Sequence, residues 1–360
     1  MNTVDIAKLR LASHGLAGNT FTSPAECVSY LGAMQAQDLS MAKWALGTRV
    51  KNSSETQVNQ ALDEGEIIRT HVLRPTWHLV SPKNIYWMLA LTAPRIRATM
   101  NSSDKQLGLT EKIFDKSNAV IEKAFEKKED LTRDELIGAL NKAGIATNDN
   151  RASHLFVHAE LCGLLCSGRS KGLKSTFALL EKRVKKTKSL SKEEALAKLA
   201  TLYFKSHGPA SVHDFIWWSG LSPVDSKIAL ESVRKELQEL KTGEQILFMA
   251  ASVSAPPTKK ATFHLLPGFD ELVISYKDRS AAITAGHHKR AISSNGIFNP
   301  TIMVNGHAAG TWKRSFIKNQ VIIAPAFFTE PSKAQKHQVK KAAAAYGRYL
   351  NKEVKLTGMD

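Results

Sequence analysis

Leu131–Ile145, LTRDELIGALNKAGI, together with Cys166–Leu180, CSGRSKGLKSTFALL, decides the fold class. Thr132 with Glu135 three residues later is the pattern in which a hydroxyl and a carboxylate each take up a backbone N–H left free at a helix start. Asn150 to Leu165 continues as a second helix, with Leu155, Ala159 and Cys162 on one face. CSGRSKGLKSTFALL then reads as two strands around a Gly- and Lys-rich turn. Helix, turn, helix, basic hairpin is the order of a helix-turn-helix unit carrying a wing.

The same order recurs on both sides. Towards the N-terminus, residues 4–12 and 24–34 read as helices, the second opened by Ser23-Pro24, a cap followed by proline at the first helical position. Residues 43–50 read as a strand and 55–64 as a short helix. IIRTHVL and TWHLV read as strands joined at Arg74-Pro75, and Ser81-Pro82 opens a long helix through IYWMLALTAPR. Towards the C-terminus, SKEEALAKLATLYFKSHG reads as an amphipathic helix stopped by Gly208-Pro209, and SVHDFIWWSG as a short helix ending at Gly220. SPVDSKIALESVRKELQEL reads as another helix and EQILFMAASV as a strand.

Ala255–Lys260, APPTKK, reads as a linker, after which the pattern changes. FHLLPGFDELVISY, AAITAG, GIFNPTIMVNGHAAGTWKRS and QVIIAPAFF read as short strands, with Asn305-Gly306 the clearest hairpin signal. An amphipathic helix at about 331–350, with Lys and His on its wet face, ends the pattern. The expectation is an α+β chain: tandem winged-helix units at 1–108, 109–187 and 188–255, then a small β-barrel or curled sheet with its terminal helix at 256–360. The repetition is architectural, because no fixed-period self-similarity is visible.

Of the 360 residues, 43% are hydrophobic and 23% charged, which is a globular composition. Lys and Arg number 50 against 33 Asp and Glu, a net charge of +17 that attracts polyanions whatever the fold. The basic residues gather in expected hairpins and helix ends: Arg69 and Arg74; Arg95 and Arg97; Arg169, Lys171 and Lys174; Lys277 and Arg279; Lys313 and Arg314. Helix-plus-wing units set such residues against phosphates flanking a groove, although any one cluster also fits an ordinary solvated turn. Thr76 and His78 in the first hairpin join these candidates. Lys182–Lys188 reads as a solvated linker between units.

No run approaches the roughly 18 apolar residues of a membrane span, and the N-terminus lacks a signal-peptide core. The expected setting is therefore the cytoplasm, as a nucleoid-associated monomer of bacterial type with double-stranded DNA as partner and no membrane contact. RNA is disfavoured: only 7% of residues are aromatic, and Trp44, Trp77, Trp87, Trp217 and Trp218 sit in apolar runs that suit core packing. The three cysteines, Cys27, Cys162 and Cys166, read as buried free thiols, with no metal site. There is no phosphate loop or dinucleotide fingerprint, so no cofactor is expected.

Gln35-Ala36-Gln37-Asp38 closes a predicted helix and precedes a predicted strand. In a helix, residues two apart point roughly 200° apart, whereas in extended backbone they share a face. Extended, the two amides would project together and grip a water, a sugar oxygen or a base edge; helical, they would be hydrated residues at a C-cap, which suits the residues alone better. Asp270-Glu271 in LLPGFDEL invites acid–base chemistry, but structural pairing is the better reading. His71 and His78 flank the Arg74-Pro75 turn and fit either ligand contact or packing beneath it.

Five ordered blocks carry a resemblance: LGAMQAQDLSMAKWALGTRV, IIRTHVLRPTWHLVSPKNIYWMLALTAPR, GPASVHDFIWWSGLSP, HLLPGFDELVISYKDRS and TIMVNGHAAGTWKRS. They resemble the winged-helix DNA-binding family that contains the AlkZ and YcaQ DNA glycosylases. The resemblance implies a basic channel for duplex DNA and a catalytic motif of Gln, a hydrophobic residue, then Gln or Asp. Here that motif is Gln35-Ala36-Gln37, similar to the two-glutamine, AlkZ-like branch. One departure is Arg74-Pro75-Thr76-Trp77-His78, where Gly-Thr-Leu-His is common; Pro75 and Trp77 would reshape the hairpin. The implied activity is release of cationic N7- or N3-alkylated purines, bulky adducts and cross-links included. A winged-helix protein that binds DNA without catalysis, as a regulator or architectural protein, is the alternative.

Overall fold

The computed structural model describes residues 3–18, 21–243, 245–253 and 261–358, so the APPTKK linker expected at Ala255–Lys260 lies outside the described residues. The first unit runs through helices Thr3–Ser13 and Pro24–Leu31, strand β1 (Ala33–Gln35), helices Leu39–Gly47 and Glu55–Asp63, strands β2 (Ile68–His71) and β3 (Trp77–Val80), and the long helix Ile85–Gln106. Its sheet has the order β1-β3-β2, all antiparallel. The helix expected over 24–34 stops at Leu31, where Gly32 turns the chain at φ 80°. Residues 43–50 are not a strand. The Asp38 carboxylate accepts from the Met41 N–H at 3.1 Å and starts a helix there. Met41, Ala42, Trp44 and Ala45 then bury themselves at the one-three-four spacing of a helix face.

The second unit has helix Glu111–Ala124, β4 (Leu131–Thr132), helices Arg133–Lys142 and Arg151–Leu161, then β5 (Leu165–Ser167) and β6 (Thr176–Leu179). The Thr132–Glu135 capping box is formed, and the sheet order β4-β6-β5 repeats that of the first unit. The third has helices Lys192–His207, Val212–Ser219 and Pro223–Val233, then the ribbon β7 (Leu237–Thr242) and β8 (Gln245–Ala250). Here the helix expected to run through RKELQEL is wrong. A single 3-10 turn over Arg234–Glu236 ends it, and Leu237–Thr242 pairs with β8 as a two-stranded ribbon. Ala210 bridges Phe248 on β8, so all three units share one connectivity: the short first strand lies against the last strand of the hairpin.

The C-terminal sheet has the order β13-β12-β11-β10-β9, with β9 (Phe263–Leu266), β10 (Thr301–Val304), β11 (His307–Ile317), β12 (Gln320–Phe327) and β13 (Glu353–Leu356). Its two edges do not pair, so it is an open half-barrel, the curled-sheet form of the expectation rather than a closed barrel. Helix Lys333–Leu350 covers it, with Ala343, Tyr346 and Tyr349 in one core with Trp312, Val321 and Ile323. Asn305 and Gly306, at φ 51° and 84°, make the expected β10–β11 turn. LVISY and AAITAG are not strands. Asp270 caps a four-residue helix, Glu271–Ile274, and residues 281–284 are turn and irregular backbone leading into a 3-10 turn at Ala285–His287. The parallel strand β13 was not anticipated.

The second unit has its own core around Leu136, Leu155 and Phe156. The first unit instead shares one core with the third (Ile68 and Val80 with Tyr203 and Trp218) and another with the half-barrel (Met34 and Leu79 with Leu265 and Trp312). The sheet bearing the Gln35 motif is thereby packed from both sides. Two packing expectations need correction: Trp77 and Trp217 are only half-buried, and Cys162 is exposed while Cys27 and Cys166 are buried. Among the described residues, no helix is long and apolar enough to cross a membrane.

Candidate active site

Gln35 ends β1, and the Ala36 N–H donates to the Trp77 carbonyl at 2.7 Å, so pairing runs one residue further than β1 itself. The motif therefore ends a strand and precedes a helix, the reverse of the order expected. Burial alternates along it: Met34 and Ala36 are buried, Gln35 is half-buried and Gln37 exposed. Both amides reach the same loop, the one joining β2 to β3. Arg74 Nη2 donates to Gln35 Oε1 at 2.8 Å, and the Thr76 hydroxyl donates to Gln37 Oε1 at 2.8 Å. A guanidinium only donates, so it fixes which way the Gln35 amide faces: oxygen to Arg74, NH2 turned away.

The loop is held in a tight, irregular shape. Arg74 N–H donates to the Val72 carbonyl at 2.6 Å and Thr76 N–H to the Arg74 carbonyl at 2.7 Å. Leu73 sits at φ 63°, and its N–H donates to the Thr92 hydroxyl at 3.1 Å. Helix Val212–Ser219 ends directly beneath it at Gly220, φ 67°, where an added Cβ would lie 2.2 Å from the Leu73 carbonyl oxygen.

Glu271 backs the motif. Its Oε1 accepts from the Gln35 N–H at 2.5 Å, its Oε2 accepts from the Ser275 hydroxyl, and His207 Nε2 lies 3.6 Å from Oε2. Burial raises its pKa, but His207, the Ser275 hydroxyl and the Gln35 N–H outweigh that and hold the carboxyl down at about 2. His78, paired with Gln35 across the sheet, is fully buried; burial and then the Arg74 charge push it down to about 3, so it is neutral. Its Nδ1–H donates to the Thr76 carbonyl at 2.9 Å, which sets the tautomer.

The remaining candidates separate by position. Arg69 works on the opposite face: Nε and Nη2 donate to the Ala36 carbonyl at 3.1 and 3.0 Å, with the guanidinium 4.3 Å from the centre of the Trp77 ring. His71 pairs with Glu160, tying the hairpin to helix Arg151–Leu161. Asp270 is structural, bound through both oxygens to Arg49 at 2.8 Å with both side chains fully buried. Lys277 and Arg279 lie 5.2 and 5.0 Å from the Trp217 ring centre. Arg314 binds Tyr346 and Ser40. Arg169, Lys171 and Lys174 pair with Glu129, Glu135 and Asp134 of their own unit. Arg95 and Lys313 are exposed. The structure thus brings Gln35, Gln37, Arg74, Thr76 and His78 into one bonded cluster, and among the described residues Arg169, Lys171 and Lys174 of the second unit's hairpin bond none of it. Glu271 and Gly220 escaped sequence reasoning in these roles, since 236 residues separate Glu271 from its Gln35 contact.

The sequence profile described as DNA glycosylase AlkZ-like matches residues 28–349. An interstrand DNA cross-link repair glycosylase of Streptomyces sahachiroi is 25% identical over 358 residues, covering 94% of this chain and 95% of that one. The solved structure of Streptomyces sahachiroi DNA glycosylase AlkZ superposes with a TM-score of 0.80 at 20% identity, over 99% of this chain and 100% of that one. The profile spans most of the chain, and the chain belongs to the AlkZ-like DNA glycosylase family.

Proposed function

We propose that this protein is a monofunctional DNA glycosylase that hydrolyses the N-glycosidic bond of cationic N7- or N3-alkylated purines in duplex DNA, with bulky adducts and cross-links within reach of an open site. The observation that carries this is the pair of motif amides, each held at its oxygen by a donor from one rigid loop. Glycosidic hydrolysis ordinarily uses one acid and one base. The ionisable groups that bond, back or pair with Gln35 are a cationic arginine, a buried ionised carboxylate and a neutral histidine. None of them is a proton donor to a leaving base near neutral pH. A purine alkylated at N7 carries its own positive charge and leaves without protonation, which is the chemistry such a site can serve.

Catalysis then reduces to positioning and dipoles. Gln37 is exposed and, among the described residues, held at its side chain only by a rotatable hydroxyl, so its amide oxygen is free to turn onto the attacking water. Gln35 is pinned by Arg74 and offers its NH2 to the sugar or to that water. The three repeated units act as winged helices along the duplex, with Lys277, Arg279, Lys313, Arg314 and the basic hairpin of the second unit on phosphates. The protein works as a cytoplasmic monomer.

The test is base release from N7-methylguanine duplex and from a nitrogen-mustard cross-link by wild type, Gln35→Ala and Gln37→Ala. Abasic sites from wild type and at least a hundredfold fewer from each variant support the reading, a loss of about 2.7 kcal/mol in barrier terms. Equal background from all three makes the protein a non-catalytic DNA-binding one.

A further inference from the structure

β1 is an edge strand, paired with β3 on one side only. Because the Ala36 N–H points to β3, the Gln35 N–H points outward, where a strand edge normally meets water or another strand. It meets Glu271 instead, at 2.5 Å, on a carboxylate that is 1% exposed. The second carboxylate oxygen is occupied by Ser275 from the same loop and approached by His207 at the end of helix Lys192–His207. One side chain therefore ties the catalytic strand to the third unit and to the connection between β9 and β10 of the half-barrel. His207 is locked in turn: its carbonyl accepts from the Tyr276 hydroxyl at 2.6 Å, and that hydroxyl contacts His14 Nε2 at 2.8 Å.

We infer that Glu271 is a positioning residue for the reaction: by holding the outward N–H of Gln35 it fixes the twist of β1, and hence the direction of the Gln35 amide and the register of Gln37 two residues on. This rests on the glycosylase reading above. The chemistry asks for a carboxylate here. Its charge strengthens the contact with the fixed Gln35 N–H, whereas a glutamine leaves only a neutral amide oxygen there and has to turn the Ser275 hydroxyl, which can donate or accept, into an acceptor for its NH2. At metal sites, removing the outer contact that orients a ligating side chain costs about 10- to 100-fold, and the same order is expected for a contact that orients a catalytic amide.

The experiment compares wild type, Glu271→Gln and Ser275→Ala in single-turnover base release from N7-methylguanine duplex, with duplex affinity and thermal unfolding measured alongside. Ser275→Ala is the milder variant and tests the idea if Glu271→Gln does not fold. The expected result is a turnover rate down about 10- to 100-fold for Glu271→Gln and severalfold for Ser275→Ala, with duplex affinity unchanged. Rate and affinity falling together, or a folded Glu271→Gln with wild-type turnover, would overturn it. Hydrogen exchange separates this claim from the glycosylase reading. If wild type releases no base, faster exchange at the Gln35 amide in Glu271→Gln still upholds the tether, and unchanged exchange removes it.

Discussion

Gly220→Ala is a perturbation whose effect on the site follows from geometry, although the residue belongs to no catalytic group. At φ 67° the new Cβ sits 2.2 Å from the Leu73 carbonyl oxygen and 3.3 Å from Arg74 Cγ. An ordinary carbon–oxygen contact is about 3.3 Å, so the loop or the helix end must give by about 1 Å. The backbone conformation itself costs alanine about 1 kcal/mol relative to glycine. That is tolerable for a chain of this size, so the variant folds. The displaced segment carries Arg74, whose guanidinium orients the Gln35 amide at 2.8 Å. A misplacement of about 1 Å at reacting groups is worth about 100-fold in rate. The expected outcome is a thermal midpoint a few degrees lower with about 100-fold slower single-turnover base release, duplex affinity being much less affected. The reasoning is refuted if a folded Gly220→Ala releases base at the wild-type rate, because then the loop does not set the amides.

Acid lability is expected from the buried histidines. His78 at about 3 and His264 at about 4 lie below the ordinary value near 6.5, both chiefly because burial disfavours the cation. The unfolded chain therefore takes up their protons first, so the stability is intact above about pH 6.5 and falls as pH drops. At pH 5 the two together cost about 4 kcal/mol, and a urea midpoint that stays flat from pH 7 to 5 would contradict this. His14 and His207, lowered by the same cause, act in the same direction. Asp270→Ala strips the carboxylate that fully buried Arg49 bonds, the only one among the described residues, and is expected to cost about 3–5 kcal/mol in chemical denaturation; a loss below about 1 kcal/mol would mean that Arg49 finds water. Lys277→Gln should lower the slope of log affinity against log salt by about 1 for a matched duplex, and an unchanged slope would take Lys277 off the phosphate path.

Where the local signal was reciprocal, the sequence was legible. Thr132 with Glu135 and Asn305 with Gly306 each specify a backbone event within four residues, and both events occur. Asp38 was equally local but was assigned to the wrong element: taken as the end of a preceding helix, it is the cap of the next one. That single reassignment turns 43–50 from strand to helix and leaves Gln35-Ala36-Gln37 extended. The ribbon at Leu237–Thr242 was hidden because LQELKT, with two exposed charges, continues a helical pattern as well as it makes a strand edge. The two glutamines and their partners Arg74 and Thr76 were each singled out by sequence, but not their pairing, which is long-range. Glu271 was read, like Asp270, as one side of a structural pair with a basic residue. Its neighbour Asp270 is that, and nothing in DEL tells the two apart before Gln35 and Arg49 are seen in place.

The same distinction decides what the +17 net charge can do. Arg10 faces Asp214 at 3.7 Å and Arg49 faces Asp270 at 2.8 Å, all four side chains nearly or fully buried. These pairs belong to the scaffold, and no phosphate can reach them without unfolding the joint between units. Arg69 is likewise committed to the Ala36 carbonyl. The second unit's basic hairpin is different. Its pairs with Glu129, Glu135 and Asp134 are exposed, and exposed ion pairs are worth about 0–1 kcal/mol. A phosphate can take those cations at almost no cost, while the released acids stay hydrated. Arg95, Lys277 and Lys313 carry no ion pair among the described residues and need no exchange at all. DNA affinity should therefore follow from these exposed cations, and the orientation of the two amides from the buried ones. Under that division, salt titrates binding while leaving the chemical step of the bound complex unaltered.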